Sequence, residues 1–131
     1  MGTKQMMLEN LWKISRMRFE NLKKNITEEQ LGFRIHPESN SVGFLLRHIA
    51  EVELMLGKSV FGFDVSFVPQ TFGKKYTDNE LFSNLNELLD FMTLSYEKVL
   101  NEISKISDED CDKIVKTPVG EFPLSDAISM L

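Results

Sequence analysis

The stretch Ser39-Asn40-Ser41-Val42-Gly43-Phe44-Leu45-Leu46-Arg47-His48-Ile49-Ala50-Glu51-Val52-Glu53 decides how the fold is read. Ser and Asn side chains accept hydrogen bonds from the first unpaired amides of a helix, so Ser41, or Asn40, is the expected cap. Beyond it Val42, Leu45, Ile49, Val52, Leu56 and Val60 recur at three- and four-residue spacing, the pattern of one helical face. Gly62 is the expected stop, because glycine readily takes the left-handed conformation that ends helices. A long helix over 41–62 follows. At 100° per residue, His48 falls about 80° from the centre of the apolar stripe. That is a boundary position, neither fully core nor freely solvated, with Phe44 and Met55 on its side and Arg47 and Glu51 beyond.

Working outward, Met7, Leu8, Leu11, Trp12, Ser15, Phe19 and Leu22 predict a first helix over 4–24, with Arg16, Glu20 and Lys23 on its polar side. Thr27-Glu28-Glu29-Gln30 reads as a capping box opening a short helical turn, limited by Gly32 and Pro37. After Gly62, residues 63–76 lose the helical pattern; Phe61–Phe67 alternates weakly, but no partner strand is evident, so the segment reads as a long crossover. Thr77-Asp78-Asn79-Glu80 is a second capping box. Leu81, Leu85, Leu88, Met92, Tyr96, Val99, Ile103 and Ile106 then predict a third helix over 78–106. Ser107 to Asp110 caps one more helical turn to about Val115, and Thr117-Pro118-Val119-Gly120 suits a type I turn. Pro123 fits a first helical position. Leu124, Ala127, Ile128 and Leu131 begin a stripe that breaks off in mid-phase. The expectation is an all-α four-helix bundle in one domain, 1–131, with a long crossover between the second and third helices and a truncated fourth helix.

Composition bounds the function. The 131 residues are 42% hydrophobic and 27% charged, the balance of a folded globule rather than a disordered chain. No apolar run approaches the ~20 residues of a membrane span, and no hydrophobic leader follows Met1. Cys111 is the one cysteine, which excludes an internal disulfide framework and a cysteine-rich metal site and suggests a reducing cytoplasm. A net charge of −5 disfavours a phosphate-binding surface, so neither nucleic acid nor membrane is expected as partner. The charge is uneven: residues 1–24 hold six basic and two acidic side chains, and residues 77–112 hold ten acidic ones and two lysines. Adjacent solvated faces account for that most simply.

Few residues could carry chemistry. The two histidines are His36, in a loop before Pro37, and His48. Spacing alone favours a structural role for His48, with a metal ligand or general base as the alternative. Glu-x-x-His, His-Glu-x-x-His, the phosphate loop and the Gly-x-Ser-x-Gly elbow are all absent. Cys111 lies among carboxylates, which oppose thiolate formation.

The segment 39–53, the turn Thr117-Pro118-Val119-Gly120-Glu121-Phe122-Pro123-Leu124, and Trp12 and Arg16 on a first helix resemble the DinB/YfiT-like family. The resemblance implies a four-helix bundle, often homodimeric, holding a divalent metal, zinc or nickel, through three histidines. His48 matches the ligand on the second helix. The other two would form a His-x-x-x-His pair on the last helix, and no histidine follows His48, so the remaining ligands are expected beyond Leu131 and the site is expected to be incomplete in this chain. Failing that, carboxylates such as Glu51 or donors from a second chain could serve. The implied activities are a metal-dependent hydrolase or a thiol-dependent transferase acting on a small-molecule or thiol substrate. The alternative is a non-enzymatic helical interaction module, or a homodimeric bundle of unknown role, formed through the open apolar faces.

Overall fold

In a computed structural model of the chain, residues 2–72 and 82–131 are described. Three long helices, α1 (Thr3–Asn25), α2 (Val42–Phe61) and α3 (Leu85–Lys105), precede a β-hairpin of β1 (Ile114–Thr117) and β2 (Gly120–Pro123) and a short α4 (Leu124–Ile128). The architecture is all-α with one small hairpin. No described helix is long and apolar enough to cross a membrane.

Local signals account for the boundaries. Ser41 caps α2, its Oγ accepting from the Phe44 amide at 3.1 Å, and Gly62 closes it at φ 71°. Gln30 reaches back to the Thr27 amide at 2.9 Å, opening a single 3-10 turn at Glu29–Gly32. The capping box at Thr77–Glu80 lies outside the described residues. α3 begins later than the expected 78, with Asn84 accepting from the Glu87 amide at 3.1 Å. The helical turn expected to reach Val115 ends at Asp112 instead, and Val115 pairs with Phe122 in the hairpin. Pro118 and Val119 form its two-residue turn, with Thr117 opposite Gly120. Residues 62–69 form no strand, but Phe63 is buried and Val65 and Phe67 half-buried, while Asp64, Ser66 and Val68 face outward. The weak alternation thus records an extended chain laid on the bundle without a ladder.

α3 packs between α1 and α2, and the hairpin and α4 close one end against α2. One apolar cluster joins Trp12, Val60, Val99, Ile103, Leu124 and Ile128 at that end; a second joins Ile26, Leu31, Leu46, Ala50, Leu88 and Met92 at the other. A polar layer separates them. Arg16 of α1 pairs with Glu53 of α2, and Ser95 of α3 donates between the Ala50 carbonyl and Glu53 Oε2, both at 3.1 Å. The Arg16 guanidinium also lies 4.6 Å from the Phe19 ring centroid.

This layer overturns part of the expected stripes. Arg16, assigned to the polar side of α1, is buried, whereas Leu11 and Leu22 of the expected stripe are exposed. On α2 the inward face carries Leu46, Ala50, Glu53, Leu54 and Gly57, and Leu45 and Ile49 lie outward. The cause is mutual neutralisation: a carboxylate and a guanidinium that pair can occupy core positions that neither could hold alone.

Candidate functional site

His48 lies half-buried on α2, as its boundary position on the wheel implies. Its ring is nearly parallel to Phe44, with centroids 6.2 Å apart, and tilted against Phe72 at 5.0 Å. Nδ1 is 3.0 Å from Thr71 Oγ1. Nε2 has no hydrogen-bond partner among the described residues.

Behind Thr71 stands Glu51, one helical turn from Arg47 and fully buried. Its carboxylate is saturated with donors. The Gln70 amide lies 2.9 Å from both oxygens, the Thr71 amide is 3.1 Å from Oε1, the Thr71 hydroxyl 2.8 Å from Oε1, and Arg47 Nε 2.6 Å from Oε2. The Arg47 guanidinium also donates to the Val68 carbonyl at 3.1 Å and covers the Phe91 ring at 3.6 Å. Charge-assisted bonds to backbone amides and a guanidinium are what allow an ionised carboxylate to be buried. The same bonds fasten residues 68–71 of the crossover over His48. Glu51, placed beyond His48 from the apolar stripe, is therefore buried, and neither of its oxygens is left for a metal.

Among the described residues, the arrangement presents one imidazole nitrogen to a metal. Among the described residues, no three His, Cys, Asp or Glu side chains group so that they could hold an ion. His36 sits in an exposed loop, where its Nδ1 accepts from the Glu38 amide at 3.2 Å. Cys111 is buried with its thiol 3.6 Å from the Ser107 carbonyl. Burial, and then the negative charge of Asp108, push that thiol above its ordinary range, so it is no ready nucleophile. Glu53 is committed to Arg16 and Ser95. The described residues thus do not complete the three-ligand site that the resemblance implies.

Sequence reasoning missed Thr71 and misplaced Glu51. An i, i+4 Arg-Glu pair was legible at Arg47 and Glu51; nothing local marks Thr71, because its partners are 20 and more residues away. A sequence profile described as the DinB superfamily matches residues 11–131. No curated protein sequence matches the chain.

Proposed function

The chain belongs to the DinB superfamily, and we propose on that premise that His48 is the one donor its described residues contribute to a divalent-metal site. The metal would be zinc or nickel. The remaining donors would come from outside these residues, from a downstream histidine pair or a second chain. The reaction class proposed with it is metal-dependent hydrolysis or thiol-dependent transfer on a small substrate. The single observation that supports this reading is the state of His48: its ring is held from the Nδ1 side, and Nε2 has no partner among the described residues. A lone imidazole binds a divalent ion weakly, since useful affinity needs several ligands in fixed geometry.

Equilibrium dialysis against zinc and nickel tests the reading. Weak binding lost in His48→Ala and kept in His36→Ala is the expected result. Binding unchanged by His48→Ala overturns it.

A second reading, association through helix faces, is favoured by a different observation. Leu11, Ile14 and Leu22 on α1 and Leu45, Ile49 and Met55 on α2 are large apolar side chains left exposed. On α1, Leu11 also borders a groove of about 430 Å³ with Trp12 and Ile128. Exposed apolar side chains that gather into a patch mark contact surfaces. We propose a second copy of the chain as the occupant, related by a two-fold axis. Light scattering is expected to report twice the 15.1 kDa chain mass; a monomer that binds no hydrophobic dye would contradict it.

A further inference from the structure

We infer that Thr71 and Glu51 are positioning residues that hold His48 as the Nδ1-protonated tautomer, so that its lone pair lies on Nε2. Backbone amides and the Arg47 guanidinium can only donate, and between them they face both oxygens of Glu51. Glu51 is therefore an acceptor at Oε1 as well as Oε2. The 2.8 Å contact between Thr71 Oγ1 and Glu51 Oε1 needs one proton, and only the threonine hydroxyl can supply it. With that proton spent, Thr71 Oγ1 faces His48 Nδ1 at 3.0 Å as an acceptor. The proton in this second contact must then sit on Nδ1. A neutral imidazole has one N–H, so Nε2 carries the lone pair.

The relay joins a buried carboxylate, a hydroxyl and an imidazole in one direction, and two of its members are fixed by burial: Glu51 is 0% and Thr71 7% exposed. Because Thr71 belongs to the crossover and Glu51 to α2, the loop and the helix together decide which nitrogen of His48 is available. Orienting partners of this kind fix the ring and tautomer of a metal-binding or basic histidine. The meaning of the tautomer for function rests on the reading of His48 as a donor; the tautomer itself does not. His36 supplies an internal contrast, since its Nδ1 accepts from the Glu38 amide and its proton belongs on Nε2.

The experiment is nitrogen-15 NMR of the two histidine side chains at about pH 8, above the ordinary imidazole range. The expected spectrum has a protonated Nδ1 and an unprotonated Nε2 at His48, with the reverse bias at His36. Thr71→Val is expected to abolish the His48 bias, and Thr71→Ser, which keeps the hydroxyl, to retain it. A protonated Nε2 at His48 in the unaltered chain overturns the inference, whether or not the valine variant folds. So does a folded Thr71→Val protein with the tautomer unchanged. If the tautomer is as stated but His48→Ala leaves metal binding untouched, the relay stands and the metal reading of His48 fails.

Discussion

Arg16→Met removes the cation from the polar layer and leaves the Glu53 carboxylate, 2% exposed, with the Ser95 hydroxyl as its remaining partner among the described residues. Breaking a buried ion pair from one side typically costs about 3–5 kcal/mol, because the abandoned charge stays buried. At about 2.1 cal/mol/K of unfolding entropy per residue, 131 residues give about 0.28 kcal/mol/K, so Tm should fall by roughly 11–18 °C. Glu53→Leu made on top of Arg16→Met should recover most of that loss, since no charge then remains and Ser95 keeps its bond to the Ala50 carbonyl. The pH dependence gives an independent sign. Burial pushes the Glu53 carboxyl above its ordinary range, and the Arg16 cation pulls it back down. Without Arg16 the folded protein holds that proton more tightly still than the unfolded chain. The stability deficit of Arg16→Met should therefore shrink on going from about pH 7 to about pH 5, and the double variant should show no such recovery. Thermal and urea unfolding of the unaltered chain and the two variants measure all of this. A cost under about 1 kcal/mol for Arg16→Met, the value of an exposed pair, would refute the buried layer.

Two further outcomes follow from the packing and the charges. An ideal Cβ at Gly43 would come 2.4 Å from the Phe82 carbonyl oxygen, so Gly43→Ala should force the residues preceding α3 away from α2. The cost should be about 1–3 kcal/mol in urea unfolding, and a neutral result would contradict that close approach. Asp110 is held down to about 2 by Lys113, with help from Ser107, and Asp108 is lowered by the Gln5 amide. Groups lowered by folding contribute stability above their unfolded values near 3.8 and lose it as pH falls toward 2. Tm should drop across that window, and less so in Lys113→Ala; an equal drop would show that the Lys113 contact is not what lowers Asp110.

The sequence made helix α2 legible because its signals are local: Ser41 bonds three residues ahead, and Gly62 needs only its own backbone freedom. Periodicity found the helices but misjudged which faces turn inward, since a stripe of Leu45, Ile49 and Val52 outweighs Glu53 in any count of apolar residues. What turns α2 is the meeting of Glu53 with Arg16, 37 residues away, and of Glu51 with the crossover. The hairpin was hidden for a related reason. Ile114–Thr117 and Gly120–Pro123 are four residues each, too short for alternation to separate them from the turns around Pro118. His48 was legible as a candidate from its surroundings in the sequence, whereas Thr71, which orients it, carries no pattern of its own.

On the proposed reading, His48 Nε2, which has no partner among the described residues, is the single metal donor they contribute. Titration of the protein with paramagnetic nickel, read by NMR, tests it most directly. Broadening should begin at the His48 ring and its neighbours Phe44 and Phe72, and should vanish from these positions in His48→Ala. Broadening that centres on His36 or on the acidic residues 108–112, with the His48 ring unaffected, would contradict the claim.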